Sequence, residues 1–411
     1  MTSTDIRSTS TSHERRITTA LFAAGLATFV SMYSAQALLP SLSAAFGVAP
    51  AQAALAVSLT TGFLALAIVP VSALSSRIGR TRVMTGSAVV SAAIGLLLPL
   101  SPSLEALLVG RALQGVALAG VPAVAMAYLA EEIGGDGLGA AMGVYVAGTS
   151  IGGLSGRLIP AFALDLTSWR WAEAAVGVAA AGCTVWFVRG LPPSRGFVAR
   201  PAGMRTVLRD IGAPLRHGEL LALFGLAFVL VGGFVSIYNF LGYRLTRPPF
   251  ELPAAVAGSV FLLYLAGTLA SAAAGSWADR IGKHRVLAAS VALMGVGVLV
   301  TIPDQLIAVI LGITLCTAGF FGAHAVASTW VGAIAPGGAA SSLYLFTYYL
   351  GSAIIGGTAG IAYAKGGWAG LAACVGGLMV VAAVLVWYLM IHARRGFETV
   401  AASEVCAAPT A

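Results

Sequence analysis

The sequence predicts an all-α integral membrane protein, with twelve transmembrane helices in two pseudo-symmetric six-helix bundles. Three observations predict it. Of the 411 residues, 58% are hydrophobic and 9% charged, with a mean hydropathy of +0.92, whereas a soluble domain needs roughly 25% charged residues to cover its surface. The bilayer therefore has to act as solvent, and there only helices or closed barrels satisfy their own backbone. The apolar runs are rich in Ala, Leu and Gly and about 20 residues long, which is helix length rather than the roughly 10-residue alternation of a barrel strand. Finally, Ser76-Arg77-Ile78-Gly79-Arg80-Thr81-Arg82-Val83 returns 203 residues later as Asp279-Arg280-Ile281-Gly282-Lys283-His284-Arg285-Val286. A basic hairpin repeated at half the chain length points to duplication of a membrane-embedded unit.

The elements follow in order. Residues 1–16 are rich in Ser and Thr, carry Arg7, Arg15 and Arg16, and are expected to be a disordered cytoplasmic tail. The first span, 17–39, has a basic flank and an Ala35-Gln36-Ala37 cleavage-like sequence, so a signal peptide is an alternative. Against it, Val30-Ser31-Met32-Tyr33-Ser34 recurs as Val235-Ser236-Ile237-Tyr238-Asn239, and a segment with a partner in the second half reads as a retained helix. Spans two to six are expected near 51–75, 83–101, 104–130, 138–161 and 171–189, completing an N-terminal bundle over 17–189. The break at 190–218 holds Pro192, Pro193 and five arginines, from Arg195 to Arg216, and reads as a basic cytoplasmic linker. Spans near 219–242, 254–277, 286–302, 305–334, 341–364 and 368–391 form the C-terminal bundle over 219–391, leaving a tail at 392–411. A third echo supports the division: Gly152-Gly153-Leu154-Ser155-Gly156 matches Gly356-Gly357-Thr358-Ala359-Gly360.

Charge sets orientation. With both termini inside, the cytoplasmic side receives Arg15, Arg16, Arg77, Arg80, Arg82, the linker arginines, Arg280, Lys283, Arg285, Arg394 and Arg395. The outside receives only Arg170, Arg244, Arg247 and Lys365. Basic loops held in the cytoplasm of the inner membrane account for the formal charge of +8. The arginines form no continuous face interleaved with aromatics, so nucleic acid is not an expected partner. Cys183, Cys316 and Cys374 sit singly in apolar runs and Cys406 in the tail, which gives neither a disulfide framework nor a metal site, and no cofactor is expected.

Gly275-Ser276-Trp277-Ala278-Asp279-Arg280-Ile281-Gly282-Lys283 resembles the G-x-x-x-D-R-x-G-R/K signature of the major facilitator superfamily. Arg111-Ala112-Leu113-Gln114-Gly115 in the fourth span is similar to that superfamily's R-x-x-x-G element. Gly148 to Gly156 in the fifth span resembles the glycine-rich element of its drug:proton antiporter branch. The resemblance covers essentially the whole chain. It implies two six-helix bundles rocking about a midplane site, a proton gradient as the driving force, and a monomeric carrier. It also assigns gating to the two turns, through Arg77, Gly79 and Arg80 in the first and Gly275, Asp279, Arg280 and Gly282 in the second. Two departures stand out. Ser72 and Ser76 replace the Gly and Asp of the first turn, so only Asp279 is expected to latch onto a helix start, that of the fifth span. Gly153 and Arg157 replace the Pro and last Gly of the antiporter element.

Charges inside spans are costly, at least about 2.5 kcal/mol at the centre, and so normally face a cavity or a partner. Arg111 lies about two turns from the outer end of the fourth span, with Gln114 one turn further on the same face. Arg157 lies near the outer end of the fifth, where it either faces the interior or snorkels. Glu173 in the sixth span and Asp165 just before it are the nearest counter-ions, and a structural ion pair and a proton-carrying role both remain open. His324 in the tenth span titrates nearest neutrality and reads as a proton-coupling or substrate contact. Tyr33 and Gln36 share a face of the first span, Ser236, Asn239 and Tyr243 one of the seventh beside Tyr238, and Tyr344, Thr347 and Tyr348 one of the eleventh. Tyr243, Tyr363 and Tyr388 fit an interfacial belt, while Asn239 and Tyr348 fit deeper positions. The glycines of the fifth and eleventh spans are expected to let helices approach closely.

These features favour a secondary active transporter that moves a small amphipathic organic compound by alternating access, as proton-coupled efflux. Uptake of a small metabolite is the alternative. With no acid in the first span and mainly positive buried charge, an anionic or neutral substrate is expected rather than a lipophilic cation. An enzyme is not expected, since the chain lacks H-E-x-x-H, and without a G-K-[ST] phosphate loop it has no site for pumping by ATP.

Overall fold

The computed structural model describes the backbone of residues 3–133, 137–194, 212–335 and 339–407, and the side chains of those lying between 13 and 391. The linker arginines from Arg195 to Arg209, Asp136, and the side chains of Arg394 and Arg395 lie outside the described residues. Numbered by span, the helices are α1 (Ser3–Phe46), α2 (Pro50–Ile78), α3 (Arg80–Leu97), α4 (Leu104–Leu118, with Ala125–Glu132 beyond a break), α5 (Leu138–Leu164) and α6 (Trp169–Gly190). The second half holds α7 (Gly218–Leu245), α8 (Ala254–Ser259 and Tyr264–Ile281, joined by the 3-10 turn Val260–Leu263), α9 (Lys283–Val300) and α10 (Leu306–Ile334). A final run, Ala339–Ala407, is divided by a non-helical Gly367 (φ 57°, ψ −146°) into α11 and α12. No strand occurs among the described residues.

Among the described residues, ten helices are long and apolar enough to cross a membrane. The other two expected spans are accounted for by the break in α4 and by the single long run that Gly367 divides into α11 and α12. The fourth span is therefore not the continuous helix expected over 104–130. Pro122 has no amide hydrogen to donate to the Leu118 carbonyl, and in the same stretch the Ser87 hydroxyl of α3 donates to the Ala117 carbonyl and accepts from Gly120 N. The N-terminal segment also differs from expectation. Helix α1 already starts at Ser3, inside the stretch expected to be disordered, as a continuation of the span in which Thr18 bonds back to the Glu14 carbonyl.

The chain forms two compact units. The first comprises Met1–Leu208, Val235–Leu262 and Ser352–Leu371. Its membership does not follow the boundary at 190–218, because the ends of α7 and α11 and the start of α8 pack with the first six spans. Helix α1 is its axis. Gly148, Gly152 and Gly156 of α5 each lie where a Cβ would strike a carbonyl of α1, those of Phe22, Leu26 and Val30 in turn. A four-residue repeat on one helix thus meets a four-residue repeat on the other, the close approach that small residues permit in lipid. Near the start of α1 a core of Ile17, Leu21, Met84, Tyr128, Leu129 and Phe187 is sealed from solvent. Leu66, Leu97 and Phe162 point outward, as a lipid-facing surface requires.

The second unit comprises Arg209–Phe234, Leu263–Gly351 and Ala372–Ala411. Here α9 and α10 approach through Gly297, Gly312 and Gly319, each set against the other helix's backbone. Phe234 stacks on Phe320 with ring centres 4.0 Å apart, and Phe321 meets both edge-on.

The repeat seen in the sequence is also a repeat in conformation. Gly79 (φ 107°, ψ 142°) ends α2 and opens α3, and Gly282 (φ 95°, ψ 137°) does the same between α8 and α9. Side chains rarely adopt that backbone geometry, so both turns require glycine at the same register.

Candidate functional site

Among the described residues, the polar residues expected to carry function gather in three clusters in the apolar interior, two in the first unit and one in the second. The first is centred on Arg111 of α4, which is 1% exposed. Its Nε donates to the Ala56 carbonyl, and its terminal nitrogens donate to the Ser31 and Met32 carbonyls, to Ser34 Oγ and to Gln114 Oε1, at 2.9–3.2 Å. The guanidinium thereby ties α4 to α1 and α2. Glu173 of α6 stands 3.6 Å away and accepts from Ser34 through Oε1. Its Oε2 is buried with no hydrogen-bond partner. Of the two counter-ions expected for the arginines, Glu173 takes the role and Asp165 does not. Asp165 instead accepts from the Ala254 and Ala255 amides at 2.8 and 3.1 Å, capping the start of α8.

The second cluster joins α5, α1, α7 and α11 in a line. Arg157 Nε donates to Gln36 Oε1 at 2.6 Å, Gln36 Nε2 donates to Asn239 Oδ1 at 2.8 Å, and Asn239 Nδ2 donates to the Gly356 carbonyl at 3.1 Å. The Arg157 guanidinium also lies 4.1 Å over the Tyr33 ring and 5.3 Å over Phe261, and Phe261 stacks on Tyr238. Arg157 is 3% exposed and does not snorkel, because the hydrogen bond and the two ring faces hold it inward. Tyr243 is corrected likewise. Expected in an interfacial belt, it is sealed from solvent, donating to the Leu39 carbonyl and sharing a 2.6 Å hydrogen bond with Ser43.

In the second unit, His324 Nδ1 pairs with the Tyr344 hydroxyl at 2.9 Å, its ring lies parallel to Phe320, and Tyr348 is 5.0 Å away. His324 and Tyr348 are half-buried. The residues expected to gate divide between the two turns. Arg80 forms a 2.9 Å ion pair with Glu131 at the end of α4 and donates to Ser75. Arg77, Gly275, Asp279 and Arg280 are exposed, and a Cβ at Gly275 would meet nothing within 4 Å.

Sequence reasoning missed Ser34, which bridges both members of the Arg111–Glu173 pair, although it lies within the repeated Val30–Ser34 segment. It also missed Phe261, whose aromatic face gave no signal apart from Arg157. Gly148-Thr149-Ser150-Ile151-Gly152 fits G-x-S-x-G letter by letter. It lies within α5 rather than on a strand-to-helix turn, so it lacks the context that exposes a nucleophilic serine.

The model of the Major Facilitator Superfamily matches residues 21–261. The inner membrane transport protein YnfM of Escherichia coli (strain K12) is 42% identical over 375 residues, covering 90% of this chain and 89% of that protein. An uncharacterized MFS-type transporter, YybF, of Bacillus subtilis (strain 168) is 38% identical over 377 residues, covering 91% and 93%. Among solved structures, the peptide transporter POT in complex with sulfate superposes with a TM-score of 0.74 at 14% identity, over 92% of this chain and 94% of that one. That likeness concerns the fold.

Proposed function

Starting from the chain's membership of the Major Facilitator Superfamily, a family of multi-pass secondary transporters, we propose that it exports a small amphipathic organic compound across the cytoplasmic membrane in exchange for protons. Both termini then lie in the cytoplasm, and the protein works as a monomer.

The observation that carries proton coupling is the state of Glu173. Its Oε1 accepts from Ser34 and sits 3.6 Å from the Arg111 guanidinium, while Oε2 is buried without a partner. A structural ion pair in an apolar interior normally has every oxygen satisfied. Here one oxygen is left over, and it is where a proton can bind. Protonation cancels the Glu173 charge and its attraction for Arg111. The Arg111 contacts to the Ser31, Met32 and Ala56 carbonyls span three helices, so a change of charge at this pair acts on how α1, α2, α4 and α6 are held. His324, hydrogen-bonded to Tyr344 between aromatic rings, is the corresponding candidate for substrate contact in the second unit. Asp279, Arg280 and the glycine turns supply the gate.

Efflux in exchange for protons is favoured by the glycine-rich α5, which resembles that of drug:proton antiporters. The test uses proteoliposomes with an imposed pH gradient and a panel of radiolabelled amphipathic compounds. At least one is expected to accumulate against its gradient in the direction opposite to proton flow. Glu173→Gln should abolish that accumulation while sparing exchange of labelled for unlabelled compound, which needs no net proton movement. Accumulation in the same direction as the protons would instead mean uptake, and accumulation untouched by the variant would remove Glu173 from coupling.

A further inference from the structure

Within the first unit, toward the Phe46 end of α1, lies a cavity of ≈ 400 Å³ separate from the Arg111–Glu173 pair. Its volume falls in the range of small-molecule sites, about 300–1,000 Å³. Most of its wall is apolar, with Ala37, Pro40, Leu241 and Leu252 among the lining residues, and the Tyr238 and Phe261 rings, stacked 5.4 Å apart, form a flat side. Gln36 lies in the wall where the Arg157–Gln36–Asn239 line reaches the cavity.

The charge that the lining itself presents to this space is positive. Among the described residues, Arg247 is the one charged side chain in the lining, and its guanidinium, on the exposed rim, lies 5.4 Å over the Tyr243 ring. Directly behind the wall, Arg157 sits 2.6 Å from Gln36 Oε1 and 5.3 Å from the Phe261 ring centre. The acids nearest in sequence, Asp165 and Glu251, lie outside the lining. Both oxygens of Asp165 are engaged by the Ala254 and Ala255 amides, and Glu251 is exposed beyond the lining. An anion is attracted by both guanidiniums, through solvent screening at Arg247 on the rim and with less screening at buried Arg157.

We propose that this cavity binds an organic anion with a flat apolar body, its carboxylate or sulfonate directed to Arg247 and its ring against Tyr238 and Phe261. The site lies in one unit and requires neither proton coupling nor a given direction of transport, so it stands or falls independently of the exporter reading. A bound anion would touch α1, α5, α7 and α8 together and stabilise the set of contacts that holds them, raising thermal stability with occupancy.

The test is calorimetric titration of the purified full-length protein with 2-naphthoate and with its neutral analogue 2-naphthamide. Saturable binding of 2-naphthoate is expected, weakened by roughly tenfold in Arg247→Gln, as loss of one charge-assisted contact implies. Binding of 2-naphthamide should be the same in wild type and Arg247→Gln. Ala37→Trp, which fills the cavity, should abolish binding of both. Arg247 is on the rim, so its substitution does not challenge folding and decides the matter even if Ala37→Trp proves unstable. Absence of saturable 2-naphthoate binding overturns the site, and 2-naphthoate binding that Arg247→Gln leaves unchanged overturns the anion assignment.

Discussion

Gln36 donates a 2.8 Å hydrogen bond to Asn239, and the two residues are 203 positions apart in the chain. That is also the spacing of the two basic turns, so the bond joins helices α1 and α7 near equivalent points of the internal repeat. Asn239 passes the line on to the Gly356 carbonyl, and Gln36 receives it from Arg157. Gln36→Leu removes an acceptor from a buried guanidinium and a donor from a buried amide at once. Each buried group left unpaired costs about 1–3 kcal/mol. A lowered thermal midpoint of the detergent-solubilised protein is expected, with Asn239→Ala lowering it less because the two partners it deprives, the Gln36 amide and the Gly356 carbonyl, are both neutral. An unchanged midpoint in Gln36→Leu would mean that the line bears no load.

The Arg111–Glu173 pair makes a different prediction. Arg111→Gln leaves a carboxylate buried without its cation, a loss of about 3–5 kcal/mol. Adding Glu173→Gln removes that lone charge, so the double variant should unfold at a higher denaturant concentration than Arg111→Gln alone. If the two losses simply add, the pair is not coupled.

The glycines of α5 can be tested against an internal control. A methyl at Gly152 would meet the Leu26 carbonyl oxygen at 2.6 Å, whereas one at Gly182 in α6 would meet nothing within 4 Å. Gly152→Ala should therefore force α1 and α5 apart and reduce the yield of folded, monodisperse protein. Gly182→Ala should be neutral or slightly stabilising, by up to about 1 kcal/mol, as expected for replacing glycine within a helix. Equal behaviour of the two would contradict the backbone contact.

The two turns should respond alike. Alanine at Gly79 or Gly282 is forced to φ 107° or 95°, a strain of about 1–3 kcal/mol each. Comparable drops in thermal midpoint are expected for both single variants. A drop at one turn only would break the equivalence of the halves.

Much of this was legible in the sequence because hydropathy and repeats are properties of the chain itself. The spans, the twin glycine turns and the short supply of carboxylates near Arg111 and Arg157 could all be read directly. What could not be read was which way each polar group turns. Tyr243 sits near a helix end, as a belt residue would, yet points inward because Leu39 and Ser43 are there to receive it. Asp165 lies eight residues before Glu173 and is as close to Arg157 in sequence, but a free helix start at Ala254 claims it. The break in α4 falls at Pro122, inside a span read as continuous, and the Ser87 hydroxyl that bonds the backbone there comes from a neighbouring helix. Such choices depend on helix rotation and on partners distant in the chain, and a hydropathy pattern specifies neither.

The most direct measurement concerns Glu173 itself and needs no substrate. Infrared difference spectra of the purified protein, taken between acid and alkaline buffer, report carboxyl groups that gain or lose a proton. A carboxylic-acid band present in wild type and absent from Glu173→Gln is expected, shifted in Arg111→Gln because the neighbouring charge is gone. A difference spectrum that Glu173→Gln leaves unchanged would show that this carboxyl does not exchange a proton, and proton coupling through the Arg111–Glu173 pair would be wrong.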